Sequence, residues 1–398
     1  MHPKKMYQQV WLLASAQALF QIVSVMVMTI GALAGAQMAS SPTLATLPIA
    51  GMFLGTATMM FPASLWMAKI GRRNGFLVGA LLGIIGGLIA AYGIVIQSLY
   101  VLSFGTILIG GYQAFAQFYR FAASEVADNL YRPKAISLVM TGGVVAALLG
   151  PLLARSGASF FDAQYLGTFL LLAVISLGAI AVLCKLDIPM AEPKTVAHAP
   201  ISTRSWKTLV LQPTYLVAVF IGMTSYGVMV LAMTAMPIAM MSHQHSLGAT
   251  TTVMQLHVLS MFLPSFITGS LITRFGVIKI MFAGIAMFIG HILFALSGVS
   301  FASFASALIL LGTGWNFMYI SGTALLTSTY TPEEKAKAQA TNDMSIFMVS
   351  LACSLAAGGL LNYLGWQTLN IMLLPWLACA VLAIVWLIYI QRKTARIN

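Results

Sequence analysis

Two charged residues stand where charge is costly. Asp343 falls about two turns into a long apolar run, beside Asn342, and Arg120 falls within another such run. A carboxylate at that depth is paired, hydrated or protonated. Asp343 is therefore a candidate coupling or substrate-contacting group, a static partner for a base such as Arg120, or an interfacial charge. Arg120 either meets an anionic solute or snorkels to the interface. Neutral polar residues form stripes around them. Gln17, Gln21 and Ser24 stand at i, i+4 and i+7, and Gln113, Gln117, Arg120 and Ser124 at i, i+4, i+7 and i+11, so each set shares one helical face. An offset of 199 carries Tyr131 onto Tyr330, Phe118 onto Phe317 and the second stripe onto Gly312, Asn316, Tyr319 and Thr323. Such stripes either bond helix to helix or line a watery cavity, and their recurrence across a repeat favours the cavity. Trp315 with Tyr319, and Tyr112 with Tyr119, can stack on a flat solute or simply pack. His257 has a pKa range suited to carrying protons, but one histidine without a visible partner makes no relay, which favours a buried, hydrogen-bonded histidine over a proton carrier.

The elements that hold these residues are membrane helices. The chain has 398 residues, 60% hydrophobic and 7% charged, with a mean hydropathy of +0.93, which excludes a soluble domain. Its net charge of +12 does not indicate nucleic acid, because the bases sit in short loops between apolar runs. The three cysteines, Cys184, Cys353 and Cys379, lie inside apolar runs without metal-ligand spacing and read as packing residues. No metal site, cofactor motif, GxxxxGK[ST] loop or Ser-His-acid constellation is present. Lys4 and Lys5 before an apolar run ending in Ala34-Gly35-Ala36 mimic a secretory signal, yet the run is too long for one and carries Gln17 and Gln21, so it reads as a first membrane helix.

Twelve spans are expected, at about 8–36, 43–68, 75–96, 99–124, 134–157, 164–185, 213–240, 250–274, 277–297, 300–326, 337–363 and 367–391. They divide into a six-helix bundle over 1–185, a polar linker over 186–212 and a second bundle over 213–398. If the spans alternate, nearly every base falls on one side and Arg155 alone on the other, which places both termini and the linker in the cytoplasm.

Two basic turns link the halves by sequence. SLWMAKIGRRNG, Ser64 to Gly75, contains Lys69, Gly71, Arg72 and Arg73; GSLITRFGVIK, Gly269 to Lys279, contains Arg274 and Gly276 in matching places. The pattern G-x-L-x-x-R-x-G-x-x-K, after the second span of each half, together with twelve spans and a central linker, resembles the major facilitator superfamily of secondary transporters. Ala127-Asp128 with Arg132, and Gly142, Gly143, Gly150 and Pro151, are similar to that family's fourth-helix exit and part of its fifth-helix antiporter motif. Ala68 replaces the usual acid of the first turn, and Leu108 stands near the place of a common fourth-helix arginine, so the family's commonest proton-coupling scheme is not implied. The resemblance implies an all-α integral membrane fold of two pseudo-symmetric bundles, with Glu125 and Asp128 close to Lys69, Arg72 and Arg73 as a gate.

The expectation is thus a transporter, not an enzyme, in the bacterial-type inner membrane. It would work by alternating access on a small organic solute, with protons as a candidate co-substrate, and as a monomer. The candidate cavity residues are Gln17, Gln21, Ser24, Gln113, Gln117, Arg120, Trp315, Asn316, Tyr319, Thr323 and Asn342; the coupling candidates are Asp343 and His257. A carboxylated metabolite, a vitamin or a small siderophore would suit uptake. The alternatives are a multidrug or metabolite antiporter and a non-transporting receptor on the same scaffold.

Overall fold

Hydrocarbon offers no partners to backbone N–H and C=O groups, so the apolar runs satisfy them internally as helices. The computed structural model describes residues 3–127, 135, 138–188, 205–331 and 334–397, and among them there is no strand. The first half contributes spans one to six: Pro3–Met38, Leu47–Ile70, Arg72–Val95, Leu99–Ala116 continued by Tyr119–Val126, Gly142–Ala158 and Leu166–Leu183. The second half begins with span seven, Pro213–Ser242; span eight is bent by 40° between Leu247–Phe262 and Ser265–Phe275, and spans nine and ten are Val277–Leu296 and Phe301–Thr327. The last apolar run, Lys337–Lys393, has 57 residues, well over twice the ~20 a bilayer needs. Gly365, at φ 73° and ψ 172°, interrupts it within Lys335–Ile371, and Leu373–Ile397 follows, so it supplies spans eleven and twelve. Twelve spans are therefore present among the described residues. The middle of the linker lies outside those residues, as do Asp128 and Arg132.

Both halves turn in the same way between their second and third spans. Gly71 closes span two at φ 84°, ψ 159°, and Gly276 closes span eight at φ 88°, ψ 154°. A side chain is strained in that region whatever space surrounds it, and a Cβ on Gly276 would meet nothing within 4 Å. Gly71→Ala and Gly276→Ala are each expected to cost about 1–3 kcal/mol, measured as a lowered thermal midpoint of the purified protein. An unchanged midpoint in both would show the turns to be relaxed.

Small residues set how closely the helices approach. At the crossing of spans two and four, a Cβ on Gly55 would stand 1.9 Å from the Ile107 carbonyl oxygen, and one on Gly110 2.0 Å from that of Met52. Thr56 Oγ1 donates across the same crossing to the Gly110 carbonyl at 3.1 Å. In the second half His291 stitches three elements, with Nδ1 2.9 Å from the Ala307 carbonyl and Nε2 2.8 Å from Asn370 Oδ1. Of the cysteines, Cys353 is buried, whereas Cys184 and Cys379 are exposed, so the expected packing role fits Cys353 alone.

The N-terminus, the end of span six and the starts of spans seven and eleven share one face. Arg73 donates to the Cys184 carbonyl at 2.7 Å, the Asp187 N–H donates to Gln9 Oε1 at 2.7 Å, and the Tyr215 hydroxyl donates to the Ala338 carbonyl at 3.0 Å. Lys5 pairs with exposed Asp187 and holds its carboxyl below the ordinary range. On the opposite face the halves close on each other. Thr46 Oγ1 donates to the Ser354 carbonyl, and a Cβ on Gly358 would stand 2.8 Å from the Pro42 oxygen. Nearer the middle, Gln255 Nε2 donates to the Leu148 carbonyl at 2.9 Å, and Phe53 meets Phe347 at 6.5 Å between ring centroids.

Candidate functional site

Between the halves lies an open cavity lined by residues of both. The first half contributes an amide wall. Gln17, Gln21 and Ser24 of span one and Gln113, Gln117 and Arg120 of span four all line the cavity, as one-face spacing requires. Gln17 Nε2 donates to Gln21 Oε1 at 3.2 Å, and Gln113 Oε1 lies 3.1 Å from Thr56 Oγ1, whose one hydroxyl proton is shared with the Gly110 carbonyl.

The second half contributes an aromatic wall. Trp315 and Tyr319, one turn apart on span ten, stack at 5.1 Å and 15°, and Tyr226 of span seven meets both edge-on, at 5.3 Å and 5.1 Å. Phe262 packs on the other side of Trp315 at 6.0 Å. The indole is 5% exposed, and its Nε1 has no hydrogen-bond partner among the described residues although the ring lines the cavity. An indole N–H usually finds an acceptor when buried.

Arg120 and Asp343 face each other across the half-interface at 3.8 Å, with side chains 25% and 21% exposed. At that separation they form an ion pair without a direct hydrogen bond. Asn342 Nδ2 donates to Asp343 Oδ1 at 3.0 Å, leaving Oδ2 toward the guanidinium, which also lies over the Phe121 ring at 4.9 Å. Of the alternatives open for these two charges in the sequence, the structure shows the pair.

Three expected lining residues lie elsewhere. Asn316 is buried against span eight, donating to the Met261 carbonyl and Ser265 Oγ at 2.7 Å each and accepting from Thr268 Oγ1 at 2.6 Å. It braces the bend of that span, where the break leaves backbone groups to satisfy. Asn342 is buried behind Asp343. Thr323 is exposed off the cavity and returns its hydroxyl to the Tyr319 carbonyl at 2.8 Å. His257 also lies away from the lining, buried with Nδ1 2.8 Å from the Leu308 carbonyl of span ten. Tyr112 and Tyr119 are fully buried inside the first half, edge-on to Phe20 and Phe76, and so pack.

At the first basic turn, Arg72 grips Glu125 with two donors, Nη2 at 2.6 Å and Nε at 3.2 Å, tying that turn to the exit of span four. Lys69 sits exposed in the last turn of span two, and Arg274 lies over Phe275 at 5.3 Å. The polar-stripe criterion missed Tyr226 and the methionines of the wall. Tyr226, Met229 and Met233 stand at i, i+3 and i+7 on span seven and all line the cavity, so an aromatic-and-methionine face was readable there.

Known proteins resemble this chain over nearly all its length. The sequence model of the Major Facilitator Superfamily matches residues 13–234 and again 218–398. The riboflavin transporter RfnT of Brucella anthropi is 39% identical over 377 residues, 94% of either chain. The uncharacterized MFS-type transporter YdeG of Bacillus subtilis is 30% identical, covering 84% of this chain and 80% of its own. Among solved structures, a D-xylose–proton symporter superposes with a TM-score of 0.73 at 15% identity, covering 96% of both chains, and the nucleoside transporter NupG with 0.69 at 15%, covering 96% of this chain and 99% of its own. The folds therefore agree across all twelve spans, and with the family matches spanning both halves, this chain belongs to the major facilitator superfamily.

Proposed function

We propose that this transporter of the major facilitator type carries riboflavin, or a flat, uncharged heteroaromatic vitamin close to it, across the cytoplasmic membrane. One juxtaposition carries that reading: the stacked Trp315–Tyr319 surface and an amide wall line the same cavity from opposite halves. A fused ring system with an imide edge stacks on the first and exchanges N–H and C=O pairs with the second. The 39% identity to a riboflavin transporter over 94% of the chain supports it. A carboxylated solute held by Arg120 is less well supported, because that guanidinium faces Asp343.

The excess of Lys and Arg on the terminal face supports termini inside the cell. The contact of Thr46 with Ser354 then lies on the outer side of the cavity. Asp343, a carboxylate at the moving interface, is the group best placed to couple a proton to that motion.

The test is uptake of labelled riboflavin by proteoliposomes and by a riboflavin-requiring bacterial strain without its own transporter. Saturable accumulation, competed by unlabelled vitamin, is the expected result. Vesicles that bind or move no flavin, while a cationic drug is expelled, would replace this reading with efflux.

A further inference from the structure

Among the described residues lining the cavity, Arg120 is the one charged side chain. Taken alone it would make the site a trap for anions, since a guanidinium binds phosphate with two parallel donors. Asp343 stands against it, just behind the lining, with Oδ1 held by Asn342 and Oδ2 3.8 Å from Nη2. Among the described residues Arg120 is the one charged group facing the carboxylate, and the neutral polar groups around it are Asn342 on its own span and Tyr226, Tyr319, Tyr215 and Tyr330 on or next to the neighbouring spans.

We propose that Asp343 is a specificity residue: it cancels the charge of Arg120 so that the site takes the free vitamin and rejects its phosphate ester. This rests on the riboflavin reading above. A flavin and its 5′-phosphate share the ring that the aromatic wall stacks on and differ at the far end of the ribityl chain. Riboflavin brings hydroxyls, which amides such as Gln17 and Gln117 can satisfy. The ester brings a charge near −2, which would be desolvated beside a carboxylate whose only facing cation is already paired. Specificity of this kind comes from the repulsive element as much as from the attractive one.

The experiment is a set of equilibrium titrations of purified full-length protein in detergent, following quenching of flavin fluorescence. The probes are riboflavin, riboflavin 5′-phosphate and a neutral 5′-acetyl ester of riboflavin. The expected wild-type result is riboflavin bound about 30-fold or more tighter than the phosphate, with the acetyl ester within about threefold of riboflavin. Asp343→Asn should then bring the phosphate to within about threefold of riboflavin by releasing Arg120, and Arg120→Gln in addition should restore the discrimination. Equal binding of riboflavin and its phosphate by the wild type, or loss of the acetyl ester together with the phosphate, would overturn the charge argument while leaving the vitamin reading intact. The acetyl ester keeps that test available in the unaltered protein should Asp343→Asn fail to fold. Absence of riboflavin binding would overturn both.

Discussion

Trp315→Ala is expected to weaken riboflavin binding by about 5- to 150-fold, the equivalent of the ~1–3 kcal/mol that aromatic stacking on a heterocycle contributes. The effect should be large because the indole has three jobs. It forms one plane of the stack with Tyr319, it is clamped between Tyr226 and Phe262, and it lines the cavity. Loss of a buried indole also leaves a hole, so the thermal midpoint should drop as well. Trp315→Phe retains a smaller stacking plane, and should recover most of the stability but only part of the affinity. The measurement is the fluorescence titration beside a ligand-dependent thermal shift. If Trp315→Ala binds riboflavin as the wild type does, the aromatic wall is packing and the substrate sits elsewhere.

Gly110→Leu is expected to abolish folding. Its Cβ would stand 2.0 Å from the Met52 oxygen and 2.9 Å from the Thr56 nitrogen, both backbone atoms of a facing helix that cannot rotate away. Spans two and four would have to separate, breaking the Thr56–Gly110 and Thr56–Gln113 hydrogen bonds and moving the amide wall. Overpacking against backbone costs about 3 kcal/mol or more, a large part of the stability of most domains. The expected outcome is loss of the monodisperse peak in fluorescence-detected size exclusion. Gly178→Leu is the control, because a Cβ there meets nothing within 4 Å; it should leave the profile unchanged. A monodisperse Gly110→Leu protein would mean that the crossing is looser than its geometry.

The spans, the two turns and half of the cavity were legible in the chain because hydrocarbon is a strict solvent. It forces long apolar helices, confines bases to loops and makes every polar stripe within a span a residue set that must face something other than lipid. Gln17, Gln21, Gln113, Gln117 and Arg120 were found on that ground alone. The same periodicity misplaced Asn316, since it assigns a residue to a helix face but says nothing of what packs there; the bend of span eight brings its own backbone to the asparagine. Tyr226 escaped because an apolar or aromatic face on a membrane helix looks the same whether it meets lipid, protein or solute.

What the amino-acid sequence determined by itself was local and periodic: helix, turn, loop charge and the polar face of each span. The positive-φ glycines of the two turns belong to this class, since their requirement is set by a few neighbouring residues. Tertiary structure decided the rest. The pairing of Arg120 with Asp343, the meeting of an aromatic wall from one half with an amide wall from the other, and the burial of Asn316 and Asn342 depend on which faces two bundles turn toward each other. That arrangement is a sum over many packed contacts between residues distant in the chain, and no short stretch of sequence encodes it.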